Sequence, residues 1–117
     1  MAEMRRADEP VPIACDLGAL TPDERRRRAE LAGELRAQTQ RIRALKDGFA
    51  LCLRPDPEVC RTALEFALLE RRCCAFLDFT LDLEAEGGSV RLSLRGREGV
   101  KAFLAQTSFC GGAKVCG

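Results

Sequence analysis

The sequence predicts an α+β fold, a two-layer sandwich with a small, mainly antiparallel sheet. Two helix starts predict the helical layer, because proline and capping residues stand together at residues 21–24 and again at residues 56–58. Three stretches alternate apolar and polar residues with the period of a strand, and these predict the sheet. The predicted order of elements is helix, strand, helix, strand, strand, helix.

The first predicted helix begins at Thr21, where Pro22 takes the first helical position and Glu24 completes a capping box. We expect this helix to run to about Leu45. Its apolar residues are spaced four and three apart and form a narrow stripe of Leu31, Leu35, Ile42 and Leu45. Such a stripe packs either across the protein's own sheet or against a copy of itself in a homodimer. The four arginines at residues 25–28 are interpreted as a solvated face of the helix.

The later elements follow from the same patterns. Strands are predicted over residues 49–54, 76–84 and 89–95, and a turn joins the last two. Helices are predicted from residue 57 to 73 or 74, and over residues 97–106. A sheet of three strands leaves an exposed edge, and such edges tend to be covered, which is a second indication of a homodimer.

Length and patterning predict one domain with a segment on each side. A chain of 117 residues holds one modest core and is too short for two. Residues 1–20 show no periodic pattern, and we expect an extended N-terminal arm that carries Cys15. Residues 21–107 form the predicted α+β domain. Residues 108–117 are rich in Gly and Cys, and we expect a tail that carries Cys110 and Cys116.

Charge and hydropathy argue against two classes of partner. The chain has 19 basic and 18 acidic residues, so its total charge points neither to nucleic acid nor to an anionic membrane. The longest apolar runs are far shorter than a bilayer span. The N-terminal stretch lacks the apolar region of a signal peptide, and we therefore expect a cytoplasmic protein.

The absence of histidine and the number of cysteines limit the site chemistry. Without histidine there is no Ser-His-Asp triad, no Cys-His nucleophile pair and no Cys/His zinc finger. Seven cysteines are many for this length, and their odd number fits a reduced compartment better than a closed disulfide framework. A metal site in this chain must therefore use thiolates, with or without carboxylates or backbone groups.

Two adjacent cysteines at the end of the second predicted helix are the main candidates for a site. At about 100° per residue, Cys73 and Cys74 both fall on the apolar face that also carries Phe66. Glu70 falls between them, three residues before one thiol and four before the other. A carboxylate on an apolar face is costly to bury unless something binds it. Glu70 therefore distinguishes a functional site from a plain core.

Two thiols and a carboxylate are half of a site for a soft metal ion. Thiolate is the preferred ligand of Cu(I), Zn(II) and other thiophilic ions, among them Hg(II). Either Cys15 of the arm or Cys110 and Cys116 of the tail completes the site, since both segments are able to fold over a helix end. Glu70 then acts as a ligand or takes up the protons that thiols lose on metal binding. The leading hypothesis is the binding or sequestration of such an ion in the cytoplasm.

Two other functions fit the same residues. In an enzyme, either a thiol oxidoreductase or an organometal lyase, Cys73 and Cys74 react and Glu70 transfers protons. A helix C-terminus and a neighbouring carboxylate both raise the pKa of a thiol, which favours metal binding over redox catalysis. In a structural dimerisation module, the cysteines are core residues, which is also how Cys52 and Cys60 are interpreted.

The stretch "LERRCCAFLDF", preceded by "DGFAL" and followed by "LRGREGVKAFL", resembles a family of small bacterial proteins with an E-R-x-C-C-x-F motif. The motif falls here on Glu70, Arg71, Cys73, Cys74 and Phe76, and the similarity covers roughly residues 47–104. The family has no assigned activity and is associated with metal- or mercury-resistance genes. The resemblance implies that the cysteine pair is not accidental, and it assigns no place to the cysteines of the tail.

Overall fold

The fold is an α+β sandwich, as the sequence predicts. The structure, a computed structural model, describes residues 11–107. A single turn of 3₁₀ helix at Leu17–Ala19 precedes the first long element. The helices and strands then follow in the order α1 (Pro22–Gln38), β1 (Thr39–Leu45), β2 (Gly48–Leu53), α2 (Pro57–Cys73), β3 (Asp78–Leu83), β4 (Val90–Arg95) and α3 (Val100–Ala105).

Within the described residues 11–107, the sheet has four strands rather than the three that the sequence predicts. Its order is β1-β2-β4-β3, and every neighbouring pair is antiparallel. The prediction of one helix from Thr21 to Leu45 is wrong, because the helix ends at Gln38 and the residues that follow form the edge strand β1. The observed order therefore has one strand more, directly after the first helix.

The change from helix to strand takes place at Thr39. Its backbone lies in the extended region (φ −81°, ψ 120°), and its hydroxyl donates a hydrogen bond of 2.6 Å to the carbonyl oxygen of Leu35. A β-branched residue loses side-chain freedom in a helix and fits a strand better. Ile42 then lies opposite Leu51 of β2, so it packs against the core from a strand and not from a helix.

One apolar cluster fills the space between the helices and one face of the sheet. Leu31 and Leu35 of α1 are fully buried in it, and Leu92 of β4 is buried opposite Leu51 of β2. The apolar stripe of α1 is thus used within the chain. The stripe, the first indication of a homodimer, is accounted for in this way. Within residues 11–107 the sheet still has two edge strands, β1 and β3, and the homodimer stays a prediction.

The second helix begins and ends where the sequence predicts. Asp56 is its N-cap, Pro57 takes its first position, and Cys73 is its last residue. Near that end, Arg72 forms an ion pair of 2.9 Å with Glu24 in the first turn of α1. The start of α1 and the end of α2 are therefore held side by side.

The third helix is shorter than predicted. It spans Val100–Ala105 instead of residues 97–106, and its buried residues are Val100 and Leu104. Among residues 11–107, no helix combines the length and the apolar character that crossing a bilayer requires.

Candidate metal centre

The end of α2 brings Glu70, Cys73 and Cys74 together on its buried side, and each of them is at most 7 % exposed. Cys73 is the last helical residue. Cys74 has left the helical backbone conformation (φ −118°, ψ 72°), although its N–H still donates a hydrogen bond of 2.7 Å to the carbonyl oxygen of Glu70. Two adjacent side chains are therefore both buried, one from the helix and one from its cap.

The two sulfur atoms and the carboxylate lie in contact. The Sγ atoms of Cys73 and Cys74 are 3.9 Å apart. The Sγ of Cys73 lies 3.6 Å from Oε1 of Glu70, and the Sγ of Cys74 lies 3.5 Å from Oε2. One ligand atom from each residue lies within 4.8 Å of the other two. The predicted convergence of these three residues is thus confirmed.

The buried carboxylate is paired with an arginine that we expected on a solvated face. The Nε of Arg28 in α1 forms an ion pair with Oε1 of Glu70, and the guanidinium lies 5.9 Å from the ring centre of Phe66. The interpretation of all four arginines at residues 25–28 as solvated is therefore wrong for Arg28. A carboxylate on an apolar face needs a counter-charge, and α1 supplies it. The sequence does hold a signal for this, because Arg28 stands three residues before Leu31 on the same stripe.

The N-terminal arm reaches the site through Cys15. Its sulfur atom is bonded to that of Cys74 in a disulfide that spans 59 positions of sequence. The N–H of Asp16 also donates a hydrogen bond of 2.7 Å to the carbonyl oxygen of Cys73. Cys15 is an exposed residue, whereas Cys74 is only 1 % exposed. Of the residues predicted to complete the site, Cys15 is thus the one that lies there within residues 11–107.

The surroundings of Cys73 favour its protonated form. Burial raises the pKa of the Cys73 thiol above its ordinary value, and the negative charge of Glu70 raises that pKa further. The positive charge of Arg28 acts in the opposite direction without cancelling either effect. A protonated thiol is a weak nucleophile, so the free thiol of Cys73 is not activated for attack on a substrate.

A cavity lies beside the sulfur atoms. Its volume is about 80 Å³, several times the ~10–15 Å³ that one water molecule needs. The polar part of its wall consists of Cys15, Arg28, Arg36, Glu70, Cys74 and Thr107. The apolar part includes Phe66, Leu77, Phe103 and Leu104. The cavity therefore offers room for an ion or a small ligand next to Cys15, Cys74 and Glu70, whereas Cys73 is not among the residues that line it.

The remaining cysteines lie apart from this group or outside the described residues. Cys52 on β2 and Cys60 in α2 are free, half-buried thiols, and neither is a member of the Glu70–Cys73–Cys74 cluster. Cys110 and Cys116, the predicted ligands of the tail, lie outside the described residues. Thr107, where the described part of the chain ends, lines the cavity.

No protein-family model, curated protein or solved structure matches this chain. The resemblance to proteins with the E-R-x-C-C-x-F motif therefore stays a prediction. Support for a function comes from the geometry and chemistry of the site itself.

Proposed function

We propose that the reduced protein binds one thiophilic metal ion of the Hg(II), Cu(I) or Zn(II) class. Cys73, Cys74 and Cys15 supply the thiolates, and Glu70 lies beside the ion as a fourth ligand or as the acceptor of a thiol proton. Soft ions prefer thiolate over every other side-chain ligand, and this chain has no histidine to compete.

The distances between the ligand atoms carry the proposal. With metal–sulfur bonds of about 2.3 Å, neighbouring sulfur atoms lie about 3.8 Å apart in a tetrahedral site and about 4.0 Å apart in a trigonal one. The sulfur atoms of Cys73 and Cys74 are 3.9 Å apart. A carboxylate oxygen bound at about 2.0 Å lies about 3.5 Å from each sulfur. In the structure each sulfur meets a different oxygen of Glu70, Cys73 at 3.6 Å from Oε1 and Cys74 at 3.5 Å from Oε2, so the carboxylate would turn for one oxygen to reach the ion between them.

Arg28 fits the same function as a positioning residue. Its ion pair engages Oε1 of Glu70, which leaves Oε2 directed at Cys74. A carboxylate that is held in place at one oxygen keeps lone pairs of the other for an ion or for a proton. Because the charges of Arg28 and Glu70 offset each other, the charge of a bound ion is balanced by the thiolates alone.

Metal titration of the reduced protein tests the proposal. Under anaerobic conditions, Hg(II), Cu(I) and Zn(II) are each added in competition with a chelator, and native mass spectrometry counts the bound ions. We expect one ion per chain for at least one of these metals. Substituting both cysteines, Cys73→Ser with Cys74→Ser, should weaken binding at least ~100-fold, because two of the three thiolates are lost.

The matched control replaces two cysteines away from the site, Cys52→Ser with Cys60→Ser. This variant loses the same number of thiols and should keep the affinity of the wild-type protein. Circular dichroism of all variants checks that they are folded. If the Cys73/Cys74 variant binds as much metal as the wild type, the cysteine pair is not the site.

The cavity also favours a second function, that of an organometal lyase. Its apolar wall at Phe66 and Phe103 gives an organic group room beside the sulfur atoms. In this reaction the thiolates take the metal, the carbon–metal bond breaks, and a thiol proton passes through Glu70 to the carbon. Glu70→Gln should then stop hydrocarbon release while metal binding persists. A wild-type protein that binds the organometal ion and releases no hydrocarbon is not a lyase.

A further inference from the structure

The proposed ligands include both partners of the disulfide. Cys15 and Cys74 are bonded to each other, and Cys73 remains a free thiol 3.9 Å from Cys74. A sulfur atom in a disulfide is not a thiolate and does not serve as an anionic metal ligand. In the oxidised protein, only Cys73 and Glu70 of the four groups are available. The disulfide and a metal ion bound by all three cysteines therefore exclude each other.

The two sulfur atoms of the disulfide differ in access. Cys15 is an exposed residue, whereas Cys74 is 1 % exposed and Cys73 is 2 % exposed. Cys15 and Cys74 both line the cavity, so the difference lies in their exposure to bulk solvent. Thiol–disulfide exchange requires a thiolate to reach the sulfur that it attacks. A thiol from solvent can reach the sulfur of Cys15 far more easily than that of Cys74.

We propose that the Cys15–Cys74 disulfide is a redox lock on the metal site, and that low-molecular-weight thiols open it by attack at Cys15. This inference rests on the proposed function. The thiolate of the small thiol bonds to the sulfur of Cys15, the Cys15–Cys74 bond breaks, and Cys74 leaves as a thiolate. The thiolate of a second small thiol then attacks the small-molecule sulfur of the mixed disulfide. Cys15 leaves as a thiolate, and the small-molecule disulfide is released. Two small thiols are thus oxidised and one protein disulfide is reduced.

The arm stays at the site after the disulfide is opened. The hydrogen bond from Asp16 N–H to the Cys73 carbonyl oxygen does not involve sulfur. Nη1 of Arg25 donates a hydrogen bond of 3.0 Å to the carbonyl oxygen of Leu17, and Nη2 of Arg97 contacts that of Val11 at 2.5 Å. These contacts hold the arm on both sides of Cys15. Its freed thiolate therefore remains within reach of an ion bound at Cys73 and Cys74.

Binding of Cd(II), a soft ion that is not itself redox-active, tests the lock. The full chain is prepared once with the disulfide formed and once fully reduced, and intact mass spectrometry verifies both states. The ultraviolet thiolate-to-cadmium absorption then reports binding. We expect the reduced protein to bind one ion and the oxidised protein to bind it at least ~100-fold more weakly, since two thiolates are missing.

Cys15→Ser and Cys52→Ser are the paired variants. Cys15→Ser lacks the lock, so its affinity for Cd(II) should be lower than that of the reduced wild type but equal with and without a thiol oxidant. Cys52→Ser should keep the full difference between the two states. Equal affinity of the oxidised and reduced wild type overturns the lock and leaves the proposed function standing. Absence of Cd(II) binding in the reduced wild type overturns the lock, and the titrations with Hg(II), Cu(I) and Zn(II) decide the proposed function separately.

A separate experiment identifies the sulfur atom that the small thiol attacks. Oxidised protein is mixed with glutathione, quenched with an alkylating reagent and digested, and the mixed disulfide is located by peptide mass spectrometry. We expect glutathione on Cys15 and the alkyl group on Cys74. The reverse pattern overturns the assignment of Cys15 as the residue attacked.

Discussion

At the scale of single residues, the buried carboxylate of Glu70 distinguishes the site from an ordinary apolar core. Removing a carboxylate from water costs several kcal/mol unless a partner compensates for the lost hydration. Glu70 has such a partner in Arg28, and its two oxygens also face the two sulfur atoms. The helical periodicity of α2 predicts the neighbours of Glu70 within one turn, Cys73 and Cys74. It does not predict Arg28, which is 42 positions away on another helix.

Arg28→Met tests how much the ion pair between Arg28 and Glu70 stabilises the fold. We expect it to lower the free energy of unfolding by about 3 kcal/mol, because Glu70 is left buried without a counter-charge. Urea denaturation measures the change. Arg26→Met is the control, since Arg26 stands in the same helix and its ion pair with Asp23 is exposed. That control should change stability by less than about 0.5 kcal/mol, and equal losses would contradict a buried pair.

Among the elements, the strand β2 depends on the absence of a side chain at Gly48. A Cβ atom there would lie 1.9 Å from the carbonyl oxygen of Leu94 in β4. We expect Gly48→Ala to lower the free energy of unfolding by about 3 kcal/mol, because the two strands must move apart. In α1, a Cβ atom at Gly33 would meet no atom within 4 Å, so Gly33→Ala should raise the free energy of unfolding by roughly 0.5–1 kcal/mol. Thermal and urea denaturation of both variants check the opposite signs.

The contact between α1 and α2 should depend on pH. The hydrogen bonds from Arg72 lower the pKa of Glu24 from 4.5 to about 2. Because this folded-state pKa lies below the unfolded one, the pair stabilises the protein fully above the unfolded value and loses its effect as the pH falls towards the folded value. We expect Glu24→Gln to be less stable than the wild type at about pH 6 and to approach it at about pH 3.

Urea denaturation at the two pH values measures the difference between Glu24→Gln and the wild type. Glutamine keeps the acceptor of the capping box, so the comparison isolates the charge. A difference that stays constant between the two pH values would show that the Arg72–Glu24 pair does not stabilise the fold through its charge.

The elements also show where sequence reasoning works. The start of α1 and both ends of α2 were predictable because proline, capping residues and apolar spacing are local signals. The end of α1 was not, since Leu31, Leu35, Ile42 and Leu45 continue a helical spacing into β1. From Thr39 onwards the chain forms a strand because it pairs with β2. The spacing of apolar residues within one segment does not contain information about such pairing.

At the scale of the whole molecule, the candidate site joins three segments that are distant in sequence. The arm supplies Cys15, α1 supplies Arg28, and the end of α2 supplies Glu70, Cys73 and Cys74. The last group was predictable from one helix. Cys15 was one of two alternatives from the sequence, because composition identifies a thiol but does not say which segment folds over the helix end.

The disulfide between Cys15 and Cys74 also closes residues 15–74 into a covalent ring. The ring contains α1, β1, β2 and α2, whereas β3, β4 and α3 lie outside it. Closing a loop of this length restricts the unfolded chain and is worth about 4 kcal/mol by chain entropy. A metal ion held by the same two cysteines closes the same ring. We therefore expect the oxidised protein and the metal-loaded reduced protein to melt at similar temperatures, both above the metal-free reduced protein, in which the ring is open.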